Sequence, residues 1–355
     1  MSRHLVGVET VPMSTVKTLT FHEAVHTLQL PHLRRNLFFS FEWLEVIYKT
    51  YGIRLFIKFI ERDQQVSSCI AYSVVNNFLE KKICLCSFCD YCDGYVSQKE
   101  DWQLFFEALR REYPEYRMAV RNLRDQFVRE NSNFIFLSKE RFHILDVRDD
   151  LSLVWKRTHD SFKNAVQQAQ RKLTVKVCLK KDLKKFYDLH LKLRRNKYRL
   201  FPQPYKFFER IWGTFMDRDK GFLLGAFSPA GDFIAGTIYL VCDNTLYYKF
   251  NTSDVSALKF RPNNLLFWEG IKIAKERKLE CIDMGSSGYE QTGLILFKDH
   301  TGARSQDITH LGFTPPNYKF SRKIILKIFT SVCTASWMPN VVTRLGSHII
   351  YPYLA

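Results

Sequence analysis

Along residues 221–303 the apolar positions recur first with the period of a strand and then with that of a helix. Residues 222–227 form a short apolar run. Ser228-Pro229-Ala230-Gly231-Asp232 supplies turn chemistry, Pro fixing one φ and Gly allowing another to turn positive. Residues 233–241 make a second apolar run, rich in β-branched and aromatic side chains. Asp243-Asn244 makes the next turn, and residues 246–250 alternate as a third strand. Tight turns between neighbouring runs predict an antiparallel meander. Pro262, which cannot donate to a strand ladder, ends it. Asn263 is expected to cap a helix in which Phe267, Ile271 and Ala274 recur at helical spacing. A strand at 280–284 follows, closed by Gly285-Ser286-Ser287-Gly288. Three antiparallel strands, a helix and a strand that must lie beside an earlier one make an α/β unit.

The first half of the chain has its own strand–helix–strand order. Strands are predicted at 55–61, 67–75, 116–122, 134–137 and 142–145, with a helix at 101–112. A helix at 149–170, a strand at 174–179 and helices at 183–198 and 205–216 lead into the meander. After Ala303 the pattern is irregular as far as Tyr318. Residues 320–335 then read as an apolar, basic helix carrying Arg322, Lys323 and Lys327, followed by Trp337, Pro339 and the run 345–353. This tail either packs on the preceding lobe or lies on an anionic membrane, with its aromatic residues at headgroup level.

At 355 residues, 46% apolar and 25% charged, the chain can bury a sizeable core. Its formal charge of +17 predicts an anionic partner: a phosphate-bearing substrate, a nucleic acid or a membrane surface. Most of that charge sits in residues 156–199, where fifteen Lys and Arg face three Asp and no Glu. The nine cysteines, odd in number and mostly in apolar runs, fit free buried thiols in a reducing cytoplasm. No signal peptide is expected, and no apolar run reaches the ~18 residues needed to span a bilayer. His22-Glu23-Ala24-Val25-His26 matches a short zinc-protease pattern, but no third ligand follows at a useful spacing, and an amphipathic surface helix is expected. The four cysteines within 84–92 lie on one strand and turn, where structural zinc sites pair separated clusters.

The pieces GDFIAGTIYL, LYYKFNTS, PNNLLFWEGIKIA, IDMGSS and LILFKDHTGA, in this order, resemble the FemAB family and the related BioF2-like acetyltransferase domains of exopolysaccharide clusters. Weaker echoes reach back to about Leu37. The resemblance implies an α/β (α+β) fold of two GNAT-like lobes with a cleft between them: residues 1–150, residues 151–318, and a basic helical tail at 319–355. It also implies acyl or aminoacyl transfer to an amine of a cell-envelope glycan or peptidoglycan-type precursor. The helix at 36–44 resembles the opening helix of the family's first half. The segment SFCDYCDG resembles the exopolysaccharide-type pattern FSDYCDP, with Gly94 in place of Pro. The string RRNKYRLFPQPYKFF resembles the family's R-x-R-x-G-x-P-P-Q-P-x-x-F-F but lacks its Gly.

The chemistry so implied is attack by an amine on a thioester or ester carbon, which needs positioning, a proton route and oxyanion stabilisation. Lys298, following Phe297, matches the family position linked to the acyl-transfer intermediate. It is expected at the end of a strand, as an exposed cation facing the cleft. Asp283 is expected to point an acid at the cleft mouth, and Tyr248 to match a cleft-facing aromatic. Arg195 lies where the family binds a substrate phosphate, for which the guanidinium fork is suited. Tyr198, Phe297, Asp90, Tyr91 and Trp43 complete the substrate-binding set. Acyl-CoA enzymes of this class hold the pyrophosphate on a glycine-rich loop, and residues 252–262 contain no glycine. The donor therefore stays open between aminoacyl-tRNA and acyl-CoA bound in an unusual way, with no permanent cofactor and no metal. The implied partners are an anionic nucleotide- or lipid-linked glycan, tRNA and an anionic membrane surface. The alternative reading is an inactive module that keeps the fold and binds nucleic acid or membrane.

Overall fold

The computed structural model describes residues 15–28, 36–77, 80–316, 318, 323–335 and 337–351. β1 (Val16–Thr20) leads into α1 (Phe21–Thr27), where Thr20 and Glu23 cap each other's backbone N–H. The first half continues with α2 (Phe41–Tyr51), β2 (Arg54–Arg62), β3 (Gln65–Asn76), β4 (Lys81–Leu85), α3 (Lys99–Glu112), β5 (Arg117–Asn122), α4 (Gln126–Arg129) and β6 (Ile135–Asp146). The second half runs α5 (Leu151–Arg157), α6 (Asp160–Gln170), β7 (Thr174–Val177), α7 (Leu183–Asn196), α8 (Tyr205–Thr214), β8 (Gly221–Phe227), β9 (Phe233–Cys242), β10 (Thr245–Ser253), α9 (Pro262–Glu276), β11 (Cys281–Ser287), α10 (Thr292–Asp299) and β12 (Arg304–Phe313). α11 (Lys323–Cys333) and α12 (Asn340–Ile350) follow.

The two halves repeat one topology. In each, antiparallel strands (β1 to β4, and β7 to β10) lead to a helix, α3 or α9. The helix then returns the chain to a strand parallel to its predecessor: β5 beside β4, and β11 beside β10. A parallel partner needs such a crossover, because a tight turn can only reverse direction. The lobes are not separate bodies. The twelve strands among the described residues form one sheet in the order β1-β2-β3-β4-β5-β12-β6-β11-β10-β9-β8-β7. The last strand of each half is exchanged: β6 pairs with β11 of the second half, and β12 pairs with β5 of the first.

Two cores flank this sheet. One gathers the first half with α7, α8 and Tyr351 of the tail. The other lies under α6 and α9, around Phe162, Tyr239, Phe267 and Ile271.

Several local expectations are corrected by pairing between distant segments. The irregular stretch after Ala303 is the ten-residue strand β12, and the two short strands at 134–145 are the single strand β6. The polar residues that hid them answer each other across the pair, with Lys139 on Asp307 at 2.9 Å and Arg141 opposite Asp307 in register. The helix expected at 149–170 breaks at Thr158, whose backbone is extended. Pro262 opens α9 with Arg261 in the left-handed region as its N-cap, so Asn263 does not cap. α12 was hidden by Gly346, where an added Cβ would come 2.7 Å from the Phe201 ring. Cys86 and Cys92 are bonded to each other, against the expectation of free thiols throughout. Positive φ at Cys86 and Phe88 folds that turn back and brings the two Cα atoms to 5.7 Å.

Candidate active site

β10 and β11 pair only from Thr245 to Tyr247 and from Cys281 to Asp283. Beyond that point the parallel strands separate, and a cavity of about 270 Å³ opens between them. Tyr248, Lys249, Asn251 and Ser253 wall it from β10, and Met284, Gly285 and Ser286 from β11. Lys298 of α10 and Lys197 and Tyr198 after α7 close it, together with Asp90 from the first half.

Two irregularities aim these groups. The register of β10 against β9 shifts between Tyr248 and Phe250. Successive side chains of a regular strand point to opposite faces. A bulge relaxes that rule, and both Tyr248 and Lys249 reach the cavity. On β11 the register against β6 slips between Asp283 and Ser286, with Gly285 at φ +67°. A Cβ at Gly285 would lie 2.9 Å from Asp90 Oδ2, so both conformation and space select glycine.

Lys298 is only 2% exposed. Its Nζ donates to the carbonyls of Gly285 at 2.9 Å and Ser286 at 3.1 Å, the two that the slipped strand offers. Burial pulls this ammonium down to about 8, against the opposing pull of Asp90 and Asp283. Asp283 is buried and accepts from the Tyr91 hydroxyl at 2.9 Å and from the Gly285 N–H at 2.8 Å. Burial, reinforced by the Asp90 carboxylate, pushes it up to about 6. Asp90 accepts from Lys249 Nζ at 2.8 Å, and that ammonium sits 4.3 Å from the Phe38 ring centre and 5.4 Å from that of Trp43. Tyr248 packs against Phe267 at 5.3 Å, and burial raises its phenol.

Four of the nine residues singled out in the sequence thus meet at one cavity: Lys298, Tyr248, Tyr198 and Asp90. Three support it from behind. Asp283 is not at the mouth but beneath it, tied to Tyr91, and Trp43 lies under Lys249. Lys298 is on a helix and buried, not on an exposed strand end. Two residues lie elsewhere. Phe297 packs on Phe162 and Phe267 in the second core, because it points away from its neighbour on α10. Arg195 is buried and binds the tail, donating to Ala335 O at 2.9 Å and also to Met338 O and Asn340 Oδ1. It cannot also present its fork to a phosphate in the cavity. Lys249 was missed, although a lysine inside the aromatic run of β10 was a visible signal.

Among the described residues no group of three or more His, Cys, Asp and Glu is placed to hold a metal ion. Glu23 of the HEAVH stretch is committed to its helix cap.

Residues 156–291 match the family model of the acetyltransferase (GNAT) domain. The chain has a GNAT-type acyltransferase fold, built twice in tandem. Among solved structures it is similar to FemX, with TM-score 0.65 and 13% identity over 89% of this chain and all of that one. It is also similar to L-PGS from Bacillus licheniformis, with TM-score 0.52 and 13% identity over 83% of this chain and 98% of the other. A tandem GNAT protein of the clavulanic acid biosynthesis pathway gives TM-score 0.51 and 9% identity over 86% of this chain and 100% of its own. No curated protein matches the sequence.

Proposed function

We propose that the protein transfers an acyl or aminoacyl group from an activated donor to an amine of a cell-envelope glycan or peptidoglycan-type precursor. The observation that carries this reading is the Lys298 ammonium, buried in the wall of the cavity where β10 and β11 part. Two of its N–H groups are committed to Gly285 and Ser286, leaving the third for the oxygen of a reacting carbonyl. Negative charge appears on that oxygen as the amine attacks, so the contact strengthens in the transition state. Asp90, fixed by Lys249, orients the attacking amine. Asp283 and Tyr91 hold the slipped strand, and the Asp283 carboxylate offsets part of the cost of burying Lys298. Tyr248 and Tyr198 offer aromatic surface to the acyl group or acceptor.

For the donor we favour aminoacyl-tRNA over acyl-CoA. The turn before α9 is a 3₁₀ segment without glycine, so it lacks the loop that cradles a pyrophosphate. The basic segment 156–199, which brings Lys197 to the cavity, suits a polyanion. The likeness to a putative lysylphosphatidylglycerol synthetase domain from Agrobacterium fabrum, with TM-score 0.54 and 10% identity, supports the class of aminoacyl transfer. The test offers charged tRNA and acetyl-CoA in turn to the full chain, with nucleotide-linked or lipid-linked glycan precursors as acceptors. Transfer is expected with at least one pair, and about a hundredfold less with Lys298→Ala. No transfer from either donor class, or an unimpaired Ala variant, overturns the reading.

A further inference from the structure

We infer that the α11–α12 hairpin is a docking face for an anionic lipid bilayer. The helices are tied to each other and to the body through small and polar residues. Thr343 donates to Cys333 O at 2.8 Å, Arg199 to Thr334 O at 3.1 Å, and Ser347 to Pro202 O, while Gly346 seats against Phe201. Thr334, Thr343 and Ser347 are fully buried. One set of apolar residues packs on the core, Cys333, Val342 and Ile350 among them, and a second set faces the other way: Ile328 is 61% exposed, Trp337 74%, Val341 61% and Leu345 58%, with Val332 and Phe329 also exposed. Val341 and Leu345 are one turn apart on α12, as are Ile328 and Val332 on α11, so each helix turns an apolar stripe outward. A surface helix in water keeps its apolar stripe for the core, and these helices carry a second one outside. Trp337, in the turn between the helices, is the most exposed of the large apolar side chains among the described residues.

The charge of this part of the sequence and of the flanking α7 terminus selects the occupant. From residue 308 to the end the sequence has five Lys and Arg and no Asp or Glu. α7 runs out beside the hairpin through Lys197, Tyr198, Arg199 and Leu200, all exposed. An outward apolar stripe with a basic flank, whose neighbouring carboxylate Asp188 is paired with Arg344 at 3.2 Å, fits a bilayer bearing anionic headgroups, which attracts Lys and Arg while the apolar side chains enter the interface. The position serves the site, because Lys197 and Tyr198 at the cavity rim directly precede the Arg199 that grips the hairpin. A docked molecule would open its cavity near the headgroups, within reach of a lipid-linked acceptor.

The experiment is flotation of the full chain with vesicles of phosphatidylcholine alone and of equal parts phosphatidylcholine and phosphatidylglycerol. Binding is expected to the mixed vesicles, at least about tenfold tighter than to neutral ones, and to weaken as salt is raised. The tryptophan emission should shift to the blue on binding, and Trp337→Phe should bind without that shift. The triple variant Ile328→Ser, Trp337→Ser, Leu345→Ser should lose vesicle binding while keeping its thermal transition and its turnover on a water-soluble acceptor. Equal binding to both kinds of vesicle, or a triple variant that floats as the wild type does, overturns the proposal. So does a free protein that is a dimer and becomes a monomer in the triple variant without any vesicle binding, for then a second copy covers the face.

Discussion

The hydroxyl of Tyr91, in the first half of the chain, donates to the carboxylate of Asp283, in the second, at 2.9 Å. The bond crosses from one lobe to the other directly behind the cavity, and the same carboxylate holds the Gly285 N–H. The strand that walls the cavity is thus shaped by groups from both halves.

Asp283 gives a stability prediction. Its carboxyl is raised from the ordinary 3.8 to about 6 when folded, so between those values the folded state holds the proton that the unfolded state has lost. Folding stability from this group therefore falls as pH rises through that window. A shift of about two units corresponds to about 3 kcal/mol. Asp283→Asn cannot ionise, so its stability relative to the wild type should rise by about that amount between pH 3 and pH 7. Denaturant titrations at both pH values check this, and a constant difference would refute it.

Lys298 should give an alkaline limb. Turnover is expected to fall above about pH 8, by about tenfold per unit, as the ammonium titrates. The stability contribution runs the other way. The folded pKa lies below the ordinary 10.5, so the folded state sheds its proton first and stability from this group rises between about 8 and 10.5. Activity lost in that range is then not unfolding. Lys298→Arg should retain part of the activity and shift the limb upward, because a guanidinium stays charged.

Lys298→Ala should also destabilise, contrary to what an exposed lysine would do. The Gly285 and Ser286 carbonyls lose their buried donor, at a cost of about 1–3 kcal/mol. Calorimetry of the variant reads this separately from turnover.

Gly285→Ala tests the slipped strand. Alanine at φ +67° carries strain of about 1–3 kcal/mol, and its Cβ pushes on Asp90. We expect kcat to drop by roughly ten- to a hundredfold, with the protein still folded. An Ala variant of full activity would mean that the position of Asp90 does not matter.

Arg195→Ala should loosen the tail and leave the KM for the donor unchanged, since the guanidinium binds tail groups rather than the cavity. Limited proteolysis should cut near α11 or α12 faster, with a loss of about 2 kcal/mol or more in stability. Arg195→Lys should not restore it, because an ammonium cannot span the three acceptors. A raised donor KM with an intact tail would return Arg195 to the phosphate role.

Local pattern was enough to read the meander β8 to β10, helix α9 and the strand β11 after it, because tight turns and hydrophobic period act within a few residues of one another; that β11 lies parallel to β10 came from the structure. Lys298, Tyr248, Asp90 and Tyr198 were singled out by resemblance to a family's segments rather than by local pattern, and the structure brings them to one cavity. The exchange of β6 and β12 could not be read in this way. Its polar residues make sense only beside partners far along the chain, as Lys139 does on Asp307, 168 residues away. The destinations of Phe297 and Arg195 were settled by which face of a helix meets the core or the tail. The burial of Lys298 and the elevation of Asp283 arise from water excluded by both lobes together, and such desolvation exists only once the two halves have folded onto one sheet.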